Sequence, residues 1–167
     1  MPTVLARDEA RYDGHPEPGQ APENSCGWSR FLALAACRNA RFRFLSSAGA
    51  EAATCVVLRV RRGRRMLRHV VAVVPVGRTL DLVGVARLYG GSSAGYVPAE
   101  TAESLTGCAP GAIAPHTDGP GLELVLDQRL RDREEIVFAD VRPDVSIALN
   151  TDDYLTLARP RTAAITA

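Results

Sequence analysis

The chain has 167 residues, of which 46% are apolar and 23% charged, a composition typical of one globular domain rather than a disordered segment. Its formal net charge of +1 gives no overall attraction to nucleic acid or membrane, and no run of about 18 apolar residues offers a membrane span. All 20 basic residues are arginine, so mechanisms that need a lysine amine are excluded.

Four cysteines, Cys26, Cys37, Cys55 and Cys108, are scattered along the chain without a CxxC pair. Residues 1–9 lack the basic and apolar regions of a secretory signal. We therefore expect reduced thiols and a cytoplasmic protein. The absence of lysine beside many alanines, glycines and valines indicates a GC-rich bacterial genome.

The first part of the chain predicts a tail followed by a helix and a strand. Residues 1–25 hold four prolines and no sustained hydrophobic period, so we expect a flexible tail before one domain over residues 26–167. Apolar residues at helical spacing predict a helix over 28–39. Alternating arginine and apolar residues predict a half-buried strand over 41–45.

Two β-branched runs, residues 55–60 and 69–74, predict a hairpin with its turn at 61–65. The segment around it is strongly basic, because residues 30–78 contain eleven arginines and one acid, a net charge of +10. Such a hairpin can contact RNA phosphates or can be a solvated tip that blocks edge pairing. The candidate RNA-binding residues are Arg61, Arg62, Arg64 and Arg65.

The second half of the chain alternates short helices and strands. Asp81 predicts the N-cap of a helix over 82–89, and Pro98 the first position of a helix that reaches Leu105. Thr151, with two aspartates after it, predicts the cap of a last helix over 151–158. Strands are predicted over residues 122–126, 135–139 and 145–149. Without regular βαβ alternation, the pattern predicts an α+β fold with a mixed, mostly antiparallel sheet.

Residues 108–121 hold three prolines and three glycines and predict an irregular loop. Long irregular loops in compact domains are usually functional, and glycine at 111 lets the backbone approach a ligand closely. Backbone N–H groups held in such a loop can bind a carbonyl oxygen or an oxyanion. A purely structural Ω-loop is the equal alternative.

Five segments in the same order carry a resemblance to a known family: Val73-Val74-Pro75, Asp81-Leu82, Ser104–Gly107, Gly111–Pro115 and Leu149–Leu157. Over residues 55–160 the chain is similar to the YbaK/EbsC family, the aminoacyl-tRNA deacylases related to the editing domain of bacterial prolyl-tRNA synthetase. The resemblance implies a barrel-like sheet with short surrounding helices. It also implies hydrolysis of the ester that joins a wrong amino acid to the 3′ end of a tRNA.

Gly111 and Pro115 match the family's GxxxP loop, which lines the aminoacyl pocket. The resemblance therefore implies a substrate-binding set around this loop. Its members are Gly111, Ala112, Ile113, Ala114 and Pro115; we add Cys108, which lies on the same loop, and Asp140, which stands where the family has an NAG-like turn.

The chain departs from the family at several of these positions. The family places a lysine in a stretch like AKTLV, where we match Thr54. The residue after the GxxxP proline is His116 rather than an aromatic, with Asp118 two residues on. We expect His116, Asp118 and Thr54 to be catalytic, although His116 can also be a solvent-facing loop residue.

The thiols offer a further candidate, because Cys108 lies on the loop and can be a nucleophile, whereas Cys55 reads as a buried strand residue. His116 and Asp118 lack a third ligand at a recognisable spacing, so we expect no metal, and no cofactor either.

Three functions remain open at this stage. The first is a deacylase of mischarged tRNA, and the second a repurposed enzyme of the same fold that acts on a small acyl or amino-acid-derived substrate. The third is a non-catalytic module that binds tRNA or a synthetase. The expected partner is a tRNA 3′ end or a small acyl substrate, without DNA or membrane, and the oligomeric state is left open.

Overall fold

The computed structural model describes residues 27–46, 51–109, 111–139 and 145–167; the tail predicted over residues 1–25 and Cys26 lie outside this part. The helices are α1 (Gly27–Cys37), α2 (Leu82–Leu88), α3 (Ala99–Thr106), α4 (Gln128–Arg131) and α5 (Thr151–Ala158). The strands are β1 (Phe42–Leu45), β2 (Ala53–Arg62), β3 (Arg65–Pro75), β4 (Ser93–Tyr96), β5 (Leu122–Asp127), β6 (Glu135–Ala139), β7 (Ser146–Asn150) and β8 (Arg161–Ala163).

One sheet organises the described strands. Its order is β1-β7-β6-β2-β3-β5-β8, with β4 paired to the outer half of β2. Four of its seven pairings are antiparallel, and the β2–β6, β3–β5 and β5–β8 pairings are parallel. This arrangement confirms the predicted α+β fold with a mixed, mostly antiparallel sheet.

The long β2–β3 hairpin divides its side chains between two faces, because successive residues of a strand point to opposite sides. Cys55 and Val57 belong to the core that contains Phe31 of α1 and Tyr154 of α5. This side of the sheet is called the loop face below. Neighbouring residues of the strand, such as Leu58, belong to the second core, which contains residues of α2. This opposite side is called the α2 face.

Several predicted details need correction. The hairpin turn is limited to Gly63 and Arg64, so three of the five predicted turn residues lie in strands. Asn150 rather than Thr151 caps α5, because its Oδ1 accepts a hydrogen bond from the N–H of Asp153 at 3.1 Å. Pro98 is the N-cap of α3, one position before the predicted N1.

Three short elements were not predicted, namely β4, α4 and β8. The prediction of an irregular loop is confirmed for residues 108–109 and 111–121, which contain no helix or strand. None of the helices in the described ranges is long and apolar enough to cross a membrane.

Candidate active site

The loop of residues 107–118 is anchored to the core through Cys108. Gly107 ends α3 with φ of +69°, and its N–H donates to the carbonyl of Glu103 at 2.8 Å. The chain then enters the core, where Cys108 is 1% exposed. Its Sγ accepts a hydrogen bond from the N–H of Ala114 at 3.4 Å and donates to the carbonyl of Thr106 at 3.6 Å. The thiol therefore ties the start of the loop to Ala114.

A second anchor joins the loop to α5. The hydroxyl of Tyr154 donates to the carbonyl of Pro115 at 2.8 Å. Tyr154 is fully buried and makes an edge contact with Phe31 of α1. Burial raises the pKa of the Tyr154 hydroxyl well above its ordinary value, so it stays protonated and remains a donor.

Between these anchors, one part of the loop stays open to solvent. Gly111 is exposed with φ of +78°, and a Cβ placed on it would meet no atom within 4 Å. Ile113, Ala114 and Pro115 are buried, so their side chains hold the loop on the sheet. Among the described residues, the amides of Gly111 and Ile113 have no hydrogen-bond acceptor, whereas the Ala112 amide donates to Ala109 O at 3.1 Å. Two backbone donors of the loop are therefore without a partner among the described residues.

His116 lies at the edge of this loop and is held on two sides. Its Nε2 is 2.8 Å from Oδ1 of Asp118, and its ring stacks on Phe31 with centroids 5.4 Å apart. Nδ1 is buried and has no hydrogen-bond partner within the described ranges. Asp118 is half exposed, and its Oδ2 is also 3.6 Å from an Nη atom of Arg30. An imidazole that donates Nε2–H to a carboxylate keeps its lone pair on Nδ1, where it can accept a proton.

Thr54 is not brought together with the loop. Its register partner is Val74, a member of the α2-face core, so Thr54 lies on the side of β2 opposite to Cys108. The structure therefore does not bring Thr54 together with His116 and Asp118. Ala53, its neighbour, belongs to the loop-face core and is 2% exposed.

Of the two buried thiols, Cys55 matches the sequence expectation, whereas Cys108 does not have the environment of a nucleophile. Cys55 lies inside β2 and is buried, as expected, and burial raises the pKa of its thiol. Cys108 is buried as well, and its contacts are those of a loop anchor rather than of an exposed nucleophile. No disulfide joins Cys37, Cys55 and Cys108 to one another.

The remaining candidates are distributed around the sheet. Asp140 lies outside the described residues. Arg62 is engaged inside the protein, because its guanidinium donates to the carbonyl of Gly90 at 2.6 and 3.0 Å. Arg64 and Arg65 are exposed at the hairpin tip, and Arg61 is half-buried on β2. Within the described ranges, no three His, Cys, Asp or Glu side chains could hold a metal ion.

Three residues of the site were missed by sequence reasoning: Arg30, Phe31 and Tyr154. Phe31 and Tyr154 read as ordinary helix residues at apolar positions, and only the packing of α1 and α5 on the loop gives them a role at the site. The helical period of α1 could have shown that Phe31 faces the core, but not which loop it meets.

The sheet, the anchored GxxxP loop and the helices around it together define an aminoacyl-tRNA editing domain. The model of that family matches residues 40–157, more than half of the chain, and the chain belongs to this family.

The chain is similar to curated proteins of the same kind. One is the multifunctional Ser/Thr-tRNA deacylase ProXp-y of Escherichia coli (strain K12), 37% identical over 113 residues. These residues are 67% of this chain and 65% of the relative, so the match spans slightly less than two thirds of the relative's length. The protein of the same description from Escherichia coli O157:H7 matches with the same values.

Solved structures show the same fold. The crystal structure of a candidate trans-editing enzyme for prolyl-tRNA synthetase superposes with a TM-score of 0.67 at 19% identity, covering 86% of this chain and 98% of that one. A hypothetical protein of known structure gives a TM-score of 0.67 at 15% identity, covering 81% and 98% of the two chains.

Proposed function

We propose that this protein hydrolyses the ester bond of a mischarged aminoacyl-tRNA. Membership of the editing-domain family supports this activity, and so does the similarity to a relative described as a Ser/Thr-tRNA deacylase. The observation that carries the proposal is the anchored loop, in which the amides of Gly111 and Ile113 are unused and which leads into His116, whose imidazole is paired with Asp118. Such a site fits a carbonyl oxygen on one side and a proton acceptor on the other.

In the proposed reaction, a water oxygen attacks the carbonyl carbon of the ester. The amides of Gly111 and Ile113 donate to the carbonyl oxygen as it becomes negative. The bond from the carbonyl carbon to the ribose oxygen then breaks, and that oxygen takes a proton. The products are the free amino acid and the tRNA with its terminal hydroxyl restored.

His116 is the candidate proton acceptor in this chain, which has no lysine. Its Nδ1 is the imidazole nitrogen left without a partner among the described residues, and Asp118 holds the ring from the other side. The proton comes from the attacking water or through the neighbouring hydroxyl of the substrate's own ribose. Asp118 acts through His116 and is a positioning residue.

The two faces of β2 also indicate which residue occupies the position of the family's lysine. Ala53 lies on the loop face, whereas Thr54 does not. Setting the family stretch AKTLV against residues 52–56 puts its threonine on Thr54 and its lysine at Ala53. We therefore propose that Ala53 occupies the lysine position and that the chemistry of that amine is absent from this site.

The test measures release of amino acid from a panel of mischarged tRNAs by the purified protein. The panel contains alanyl- and cysteinyl-tRNA for proline, together with seryl- and threonyl-tRNA mischarged on other tRNAs. Release above the spontaneous rate from at least one of them supports the proposal. A rate equal to the spontaneous rate for the whole panel contradicts it.

A second candidate is a repurposed enzyme that hydrolyses a small acyl or amino-acid-derived ester at the same loop. The alanine at the proposed lysine position favours it, because the electrostatics of the pocket then differ from those of the family. Turnover of small amino-acid esters with no turnover of any mischarged tRNA would support this candidate over the first. Salt-dependent tRNA binding without any hydrolysis would instead support a non-catalytic binding module. A tRNA 3′ end as substrate fits a cytoplasmic location.

A further inference from the structure

Two arginines continue the loop face beyond its apolar core. On β2, Cys55 and Val57 lie in the loop-face core, and Arg59 and Arg61 follow at the same two-residue spacing. The pairing with β4 is regular from Leu58 to Arg61, so both arginines stay on this face. The irregularity of the hairpin lies on its β3 side.

This outer half of the loop face is open at Gly95. Arg59 is paired with Gly95 of β4, and a Cβ placed on Gly95 would meet no atom within 4 Å. On its other side, Arg59 is paired with His69 of β3, which is half-buried. The surface around Gly95 is therefore a shallow floor bordered by two cationic side chains and an imidazole.

The two arginines on this face are not engaged elsewhere. No ion pair or side-chain hydrogen bond joins the guanidinium of Arg59 or Arg61 to another residue in the described ranges. On the α2 face, by contrast, Arg68 pairs with Glu123 at 3.3 Å and lies over the ring of Tyr89. Unengaged guanidinium groups keep their donors for a ligand.

We propose that Arg59 and Arg61, together with His69 and the open floor at Gly95, bind phosphates of the RNA strand whose end enters the loop. The proposal rests on the proposed function and adds the path that the nucleic acid takes. Same-face positions on a strand are about 6.6 Å apart, so the Cα atoms of Arg59 and Arg61 lie about 7 and 13 Å beyond that of Val57. An RNA strand bound there extends away from the loop along β2.

Charge favours this path over the side of α3. That helix, which leads into the loop, carries Glu100 and Glu103 and no basic residue. Its carboxylates repel phosphates, whereas β2 and β3 contain no acidic residue. The polyanionic part of the substrate is therefore directed along β2.

The experiment compares two charge-neutralised variants. The surface formed by Arg59, Arg61, His69 and Gly95 is called the platform below. Arg59→Ala with Arg61→Ala removes two cations from it, and Arg78→Ala with Arg87→Ala removes two exposed cations elsewhere. Binding of uncharged tRNA is measured against salt concentration. We expect the platform variant to bind at least tenfold more weakly and to lower the slope of log affinity against log salt by about 1 to 2, because each phosphate contact contributes about 0.7 to 0.9. The control pair keeps the parent's slope.

A single position gives a sharper comparison. Gly95→Glu places a carboxylate beside Arg59, and Gly95→Gln adds the same bulk without charge. A larger loss of tRNA affinity for the glutamate variant supports the proposal, and equal losses for both overturn it. Parent-like salt slopes for the double arginine variant also overturn it.

Hydrolysis assays distinguish a failure of this proposal from a failure of the proposed function. The platform variant is assayed on mischarged tRNA and on aminoacyl-adenosine, which keeps the ester but lacks the RNA strand. A tenfold greater fall in kcat/KM on the tRNA than on the adenosine ester supports the platform. If the parent cleaves neither substrate, the proposed function fails. The slopes of log tRNA affinity against log salt concentration then still show whether the platform binds RNA.

Discussion

His116 and Asp118 are joined by a contact of 2.8 Å between Nε2 and Oδ1, which directs the other ring nitrogen into the protein beside the loop. The stacking of the ring on Phe31 restricts its remaining freedom. A histidine that is held by a carboxylate on one side and an aromatic ring on the other has a restricted orientation, which the proton transfer proposed above requires.

The first prediction concerns this pair. Asp118→Asn keeps the size of the side chain but removes the charge that holds the imidazole, so we expect kcat for deacylation to fall about 100-fold with little change in KM. Asp118→Glu restores a carboxylate and is expected to recover part of the loss. Arg30→Ala removes the second contact of Asp118 and leaves its carboxylate on His116, so we expect a smaller fall in kcat than in the asparagine variant. Parent-like kcat in the asparagine variant would show that the carboxylate does not position His116.

The second prediction concerns the anchor from α5. Tyr154→Phe removes the hydroxyl that donates to Pro115 and leaves a buried carbonyl without that donor. Such a loss lowers the free energy of unfolding by about 1 to 3 kcal/mol, as measured by urea denaturation. Tyr96→Phe is the control, because that ring is exposed and is expected to change stability by less than about 0.5 kcal/mol. Equal stabilities of the two variants would show that the hydroxyl is not an anchor.

The third prediction concerns the positive φ of the loop backbone at Gly111. Gly111→Ala places a Cβ in open space, so its cost comes from the positive φ alone and should be about 1 to 2 kcal/mol of unfolding free energy. Gly119→Ala also meets open space but has no positive φ, and no loss is expected there. Deacylation should fall in the Gly111 variant because the spare amides move. Equal unfolding midpoints for the two alanine variants would contradict this account.

The fourth prediction is a pH dependence at the outer strand β1. Arg43 donates to Glu135 of β6 at 2.7 and 3.1 Å, and this hydrogen bond holds the pKa of Glu135 below its ordinary value of 4.5. A carboxylate with a lowered pKa contributes stability above the unfolded pKa, and the contribution is lost as pH falls through the folded value. The parent should therefore lose stability on acidification below about pH 4.5.

The matching variant is Arg43→Gln, in which Glu135 loses its partner. Its unfolding free energy should fall less steeply than the parent's over the same acid range, as followed by urea titrations at successive pH values. Arg38→Gln is the control, because Arg38 is exposed and has no ion pair within the described ranges. Parallel pH curves for the parent and the Arg43 variant would rule out a contribution from this pair.

Much of the fold follows from local patterns in the sequence. The β-branched runs of β2 and β3, the cap at Asp81 and the proline-rich loop were all predicted because short-range preferences determine them. The elements that were missed are β4, with its glycine and serine, and the short α4 and β8. Their formation depends on pairing and packing with distant residues, which a single sequence does not show.

The candidate site was predictable in its loop but not in its surroundings. The GxxxP segment and His116 stand out in the sequence, whereas the stacking of Phe31 and the anchor from Tyr154 depend on how α1 and α5 pack. The placement of Thr54 shows the limit most clearly. A shift of one residue in matching a strand to the family moves a side chain to the other face of the sheet. Only the register of Thr54 with Val74 shows on which face Thr54 lies.

The separation of the two faces also makes the protein easy to tether. Val83 of α2 is 60% exposed, and α2 packs on the side of the sheet away from the loop. A dye or a surface linker attached through a cysteine introduced there, with Cys26 and exposed Cys37 replaced by serine, would leave the loop unobstructed. Immobilised molecules would then present one common orientation to an incoming tRNA, which suits single-molecule measurements of its residence time.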